Sequence, residues 1–200
     1  MNGTADEIVD ALKRKAPEYL DLVTAKTEAE FNAAFDHLLE LAVRRLEASK
    51  SDYVTLGENA LNRTLAGFVN CPGLTVTAET HTNGHVDLTF SAVHSSPIWT
   101  KLGEAKLYDG PAYHIKGLEQ LLTRYATGRD STGLMVCYVR VENIAAKLQS
   151  IREKMDLNRP VVQTAATYDG NKKWTFRSEH KHSSGEVIDV SHVGVNLYVP

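Results

Sequence analysis

Apolar residues recur along the first seventy positions at intervals of three and four, and from Leu74 onward the interval shortens to two. The first pattern belongs to helices with one buried stripe, the second to strands with one buried face. Thr4 to Lys15 reads as a short helix. Thr27 to about Ser49 reads as a longer one, with Phe31, Phe35, Leu38, Leu39, Ala42 and Leu46 on one stripe and Thr27 and Glu30 spaced as a capping box. A third helix, about Leu56 to Val69, carries Leu61, Leu65 and Phe68 and stops before Cys71-Pro72-Gly73. Three helices are thus expected before any strand.

Leu74 to Glu79, Gly84 to Ser91 and Trp99 to Tyr108 predict an antiparallel meander, with Thr82-Asn83-Gly84 as its clearest turn. After Asp109-Gly110-Pro111, Ala112 to Thr127 is helical, with Ile115, Leu118, Leu122 and Tyr125 inward. Gly133 to Val139 is apolar on both faces, as a central strand covered by helices is. Glu142 to Lys154 predicts another helix, and Val161 to Tyr168, Lys173 to His180 and Val187 to Val199 predict three further strands. The expected fold class is α/β: a central mixed sheet flanked by helices, with residues 1–50 as a helical segment packed on a core of residues 51–200.

Two hundred residues, 42% of them hydrophobic and 24% charged, suffice for one domain with a sizeable core. No run approaches the roughly eighteen apolar residues of a membrane span, and Met1 to Asp10 is polar and acidic, unlike a signal peptide, so a cytoplasmic protein without a membrane partner is expected. Cys71 and Cys137 lie far apart without metal-ligand spacing, which predicts reduced, buried or half-buried thiols. A formal charge of −3 excludes coating of nucleic acid by bulk electrostatics, so any such contact is local.

Side chains two apart on a strand share a face, which puts Glu104 and Lys106 beside Leu102. On the preceding strand Val86, Leu88 and Phe90 fill one face and leave His85, Asp87 and Thr89 on the other. If the two strands pair, Asp87 and Glu104 converge. Two close carboxylates resist ionising together unless a hard divalent cation lies between them, and such oxygen ligands suit Mg²⁺ or Mn²⁺. An ion of that kind with a neighbouring lysine is the inventory for phosphodiester hydrolysis.

A helix carrying Glu58, then Asp87 within Gly84-His85-Val86-Asp87-Leu88-Thr89-Phe90, then Glu104-Ala105-Lys106, then a helix and an apolar strand resembles the PD-(D/E)xK, restriction-endonuclease-like nucleases over roughly residues 55–140. The resemblance implies that Asp87, Glu104 and the Ala105 carbonyl hold the metal, that Lys106 positions or activates water, and that Glu58 completes the site. It also implies a DNA substrate, a homodimer, and a role in restriction, repair or phage defence. The alternative is a catalytically silent subunit of the same fold that binds nucleic acid or a partner protein. Two departures stand out. Val86 replaces the family's proline before the aspartate. Several relatives carry glutamine and tyrosine four apart on the following helix, whereas Gln120 and Tyr125 here are five apart.

Other readings compete with these. Thr55-Leu56-Gly57-Glu58 has the spacing of a capping box, in which Glu58 would only start its helix. Glu104 and Lys106 could be a solvated ion pair. Lys116, Gln120 and Arg124 form one polar stripe that either meets substrate or flanks a solvated helix; Tyr113 and His114 stand where that helix begins and could meet substrate or simply pack. His180, His182 and His192 could gather a transition metal, and Lys172, Lys173, Arg177 and Lys181 could form a phosphate patch. The helices of residues 4–50 could pack on the core, form a dimer or dock a partner protein.

Overall fold

The computed structural model describes residues 4–80 and 86–200, the side chains of residues 79 and 80 excepted; His85 and the expected Thr82-Asn83-Gly84 turn lie outside the described residues. Thr4 caps α1 (Ala5–Lys15), with Glu7 closing a capping box. Helix α2 (Pro17–Thr24), which the periodicity does not signal, begins with Pro17 at a position where a missing N–H is harmless. Thr27 and Glu30 form the expected capping box at the start of α3 (Glu28–Ala48), whose whole predicted stripe is buried. The short α4 (Lys50–Tyr53) follows, so that five helices rather than three precede the first strand among the described residues. The fifth, α5 (Glu58–Val69), starts from Gly57 with no side-chain cap. The capping box expected of Thr55 and Glu58 therefore does not form, and the Glu58 carboxylate is available for other contacts.

Strands β1 (Thr75–Thr80), β2 (Val86–Ala92) and β3 (Trp99–Leu107) make the expected antiparallel meander. Then follow α6 (Pro111–Gln120), a π-helical turn at Leu121–Tyr125, β4 (Thr132–Val139), α7 (Ile144–Asn158), β5 (Tyr168–Asp169), β6 (Thr175–Lys181) and β7 (Val187–Asn196). Among the described residues all seven strands join one sheet in the order β1-β2-β3-β4-β7-β6-β5, parallel at β3-β4 and β4-β7 and antiparallel elsewhere. Helix α6 is the crossover between the parallel strands β3 and β4. The structure is thus α/β with a mixed sheet flanked by helices.

The expected strand from Val161 to Tyr168 is absent. Pro160–Val162 is a single 3₁₀ turn, and Gln163 forms only an isolated bridge with His180. Arg159, Val161 and Val162 have φ of 46°, 51° and 52°, a left-handed backbone that β-branched residues rarely adopt and that no strand contains.

Helices α3 and α5 cover one face of the sheet, joining Phe31, Phe35, Leu38 and Leu61 to Leu88, Phe90, Ala105, Leu134, Val136 and Tyr138. The opposite face receives α6, the π turn and α7, which bury Leu118, Leu122, Tyr125, Leu148 and Ile151 on Leu102, Met135, Cys137 and Val190. The first core includes α3, so the residues before 50 contribute to the main core. Central β4 is covered on both sides, which explains why its sequence shows no alternation. Among the described residues, no helix is long and apolar enough to cross a membrane.

Candidate active site

The β2–β3 register opposes Leu88 to Gly103, and one further step along it brings Asp87 beside Glu104. Asp87 Oδ2 accepts a hydrogen bond from the Ala105 N–H at 3.0 Å, which ties its carboxylate to the strand carrying Glu104 and Lys106. The Lys106 ammonium lies 2.6 Å from Glu104 Oε1, 3.5 Å from Glu58 Oε1 and 3.9 Å from Asp87 Oδ2. Glu58 arrives from the other layer: standing first in α5, it also accepts the Leu107 N–H through Oε2 at 2.8 Å. Three carboxylates from three elements thus meet around one ammonium.

Burial is uneven, with 2% of the Glu104 side chain exposed against 17% for Asp87 and 22% for Glu58. A solvated ion pair is therefore not what Glu104 and Lys106 form. Burial and then the field of Asp87 push the Glu104 carboxyl up to about 7, against the pull of Lys106. Burial works against the Lys106 ammonium, but its hydrogen bond to Glu104 and the fields of Glu104, Glu58 and Asp87 outweigh it and hold the group charged above its ordinary range.

Glu104 Oε2 is buried without a hydrogen-bond partner. With all three acids ionised, one ammonium leaves an excess of negative charge, and a buried carboxylate oxygen without a partner is costly. Both features fit a hard cation held by Asp87, Glu104 and the Ala105 carbonyl. Among the described residues no group of three or more histidine, cysteine, aspartate or glutamate side chains is arranged to hold a metal ion, so a cation here would rest on fewer protein ligands. Mg²⁺ is commonly held by one or two carboxylates, with waters and substrate oxygens completing its shell.

No protein-family model, curated protein or solved structure matches the chain. What the site can do follows from its own geometry.

Helix α6 closes the site from above. A Cβ on Gly117 would lie 3.0 Å from Lys106 Cγ and 3.0 Å from Met135 Cε, so the lysine side chain runs close under the helix and a methyl group there needs it to give by a few tenths of an ångström. Gly117→Ala adds helix propensity of roughly 1 kcal/mol that offsets the tight contact, and its stability should stay near that of the parent. Gly117→Leu should lose about 1–3 kcal/mol by overpacking and displace Lys106. Urea unfolding of both variants checks the contrast; equal stability of the two would mean that the helix sits less closely.

Tyr113, on the same helix, places its ring 5.9 Å from the Lys106 ammonium. Gln120 is half-buried, whereas Lys116 and Arg124 are exposed. The extra residue between Gln120 and Tyr125 falls within the π turn, where the Ala126 N–H donates to the Leu121 carbonyl five residues back. A turn closed at i→i+5 brings residues five apart to the spacing that residues four apart have in an α-helix. Tyr125 is accordingly buried, and its phenol is raised in pKa by burial and then by the fields of Glu104 and Asp87. Tyr125 packs in the core beneath the sheet face that carries Glu104 and feels the site only through those fields.

The other sequence candidates are placed elsewhere. His180 and His192 are buried with the Ser178 hydroxyl between them, and His182 binds Ser184 on the exposed hairpin, so the three do not gather around a metal. His114 is buried and turns inward to His192. Lys172 and Arg177 line one hollow, with Arg177 held by Asp189 at 2.5 Å, while Lys173 lies over Trp174 and Lys181 borders a different cleft, so the four cations do not gather in one patch. Both cysteines are free, Cys71 half-buried and Cys137 buried with its thiol pushed up to about 12.

Proposed function

We propose that the chain is a metal-dependent nuclease that hydrolyses phosphodiester bonds, with DNA as substrate and Asp87, Glu104 and Lys106 as its working groups. The observation that carries this reading is the convergence of Asp87, Glu104 and Glu58 on Lys106, with one buried Glu104 oxygen unpartnered. Asp87, Glu104 and the Ala105 carbonyl would hold Mg²⁺ or Mn²⁺. Such an ion polarises a phosphoryl oxygen and lowers the pKa of a bound water.

Lys106, held charged, is suited to orienting the attacking water and to stabilising negative charge that grows on the phosphoryl oxygens, rather than to taking a proton. Glu58 fixes both the lysine and the end of β3. Tyr113 and Gln120 stand on the helix above, where a phosphate or the water would meet them, and the exposed Lys116 and Arg124 would meet more distant phosphates if substrate extends along that helix. Preference for DNA rests on the resemblance of the motif alone.

The test is incubation of supercoiled and linear DNA with the purified protein and Mg²⁺ or Mn²⁺, beside EDTA and Asp87→Ala. Metal-dependent nicking that disappears in the variant is the expected result. The second reading, a catalytically silent binding subunit, is favoured by the 2.6 Å contact through which Lys106 already neutralises Glu104. Calorimetry separates the two: Mn²⁺ binding lost in Asp87→Ala without cutting points to a site that awaits a partner, and no binding by either protein overturns the nuclease reading.

A further inference from the structure

Four buried side chains on the α6 side of the sheet form an unbroken hydrogen-bonded chain. His114 Nε2 is 2.9 Å from His192 Nδ1, His192 Nε2 is 2.8 Å from Ser178 Oγ, and Ser178 Oγ is 2.8 Å from His180 Nε2. The chain ends where His180 Nδ1 meets the Val161 carbonyl at 3.1 Å. Phe176 stacks on His192 with centroids 4.3 Å apart and planes within 3°, sealing the chain from α7.

A carbonyl only accepts, which fixes every proton in a neutral chain. His180 must carry its proton on Nδ1, so its Nε2 accepts from Ser178. The serine oxygen then accepts from His192 Nε2–H, His192 Nδ1 accepts from His114 Nε2–H, and His114 Nδ1 is left as a bare lone pair. His114 Nδ1 is the one nitrogen of the three rings found buried without a partner. Any added proton leaves a buried N–H or O–H with nothing to receive it, and adds an unpaired charge.

The chain lies beside the candidate site. Glu104 pairs with Met135 and Met135 with His192 in neighbouring strands, so Glu104 and His192 share one row across the sheet, about 10 Å apart at ordinary strand spacing. Helix α6 spans that row, with His114 on His192 and Gly117 on Met135 and Lys106.

We propose that His114, His192, Ser178 and His180 are a proton-ordered clasp that holds α6 over Lys106 only while all three imidazoles are neutral, and releases the helix on acidification. As a device acting on the site it rests on the nuclease reading; as a clasp on α6 it does not. His180 borders a cleft of about 490 Å³ with Val161, Lys181 and His182, which gives protons a way in. The surroundings offer little to stabilise added charge. Asp189 on β7 favours a charged His180, and the histidines disfavour charge on one another. From α7, Arg152 is held by Asp169 and Thr167 and faces Phe176, and Asp156 is held by Thr167 and Gln163. Cys137 on β4 stays a neutral thiol. Lys181 adds positive charge at the cleft, and the 3₁₀ turn presents the Val161 carbonyl to His180.

The test is ¹⁵N NMR of the imidazoles at pH 7.5, with hydrogen exchange of α6 against α5, which covers the opposite face. The expected spectrum shows neutral His180 protonated on Nδ1 and neutral His114 and His192 protonated on Nε2. Exchange in α6, corrected for intrinsic rates, should rise at least tenfold from pH 7.5 to 5 while α5 changes little. Ser178→Ala, which removes the middle link, should show the fast α6 exchange already at pH 7.5. Other protonation states, or equal responses of α6 and α5, overturn the clasp; should Ser178→Ala not fold, the two measurements on the parent decide. Cleavage and Mn²⁺ binding at pH 7.5 report on the nuclease reading separately, so either idea can fail alone.

Discussion

Lys106→Met should lower stability by about 3 kcal/mol at pH 7 and reduce cleavage at least ~100-fold, because it leaves Glu104 buried with no counter-charge while Asp87 and Glu58 still face it. Glu104 limits its own penalty by taking up a proton. Its pKa, already raised, rises further once the ammonium is gone, so the folded variant binds a proton that the unfolded chain releases. Stability of the variant must then fall as pH rises, approaching about 1.4 kcal/mol per pH unit for one proton. Adding Glu104→Gln removes the uncompensated charge and should restore most of the stability but none of the cleavage. Urea unfolding from pH 5 to 8 on the parent, the single and the double variant measures all of this. A flat pH dependence in Lys106→Met would mean that solvent, rather than lysine, balances Glu104.

Acid should weaken the fold through the histidine clasp, and His114→Gln should be less sensitive than the parent. Burial holds the His114 imidazole down to about 4, from an ordinary 6.5, and holds His192 and His180 down as well. Below pH 6.5 the unfolded chain binds protons that the folded chain refuses, so stability is unaffected above that pH and falls from there to about 4. For His114 alone the loss is about 3 kcal/mol. Glu104, raised to about 7, acts in the opposite sense, since the folded state binds its proton first on acidification. A parent curve alone would therefore mix the two effects. The difference between parent and His114→Gln cancels the carboxylates and should shift by about 3 kcal/mol in the variant's favour from pH 7 to 4. Parallel curves for the two proteins would show that His114 does not titrate with unfolding.

Alternation of apolar residues in β2, the stripe of α3 and the two-faced burial of β4 are all legible in the sequence, because each is a local consequence of which side meets a core. The meeting of Asp87, Glu104 and Lys106 was legible for the same reason: two adjacent strands and a period of two place them. Where local and tertiary demands differ, the reading fails. Val161 and Val162 favour strand by type, yet follow Pro160 in a turn whose backbone their neighbours impose. Glu58 had the spacing of a cap, but the N–H of Leu107 and the charge of Lys106 claim it. His114 and His192 are 78 residues apart, and no spacing rule links a helix to a strand at that distance.

The π turn bears on how such chains are compared with one another. A helix that closes one turn at i→i+5 sets every later side chain one position out of step with a pattern written with a fixed gap. Searches that demand glutamine and tyrosine four positions apart will pass over all chains in which a wider turn lies between the two. Allowing a gap of either four or five, wherever a helix follows a strand bearing the acid and lysine, would recover them.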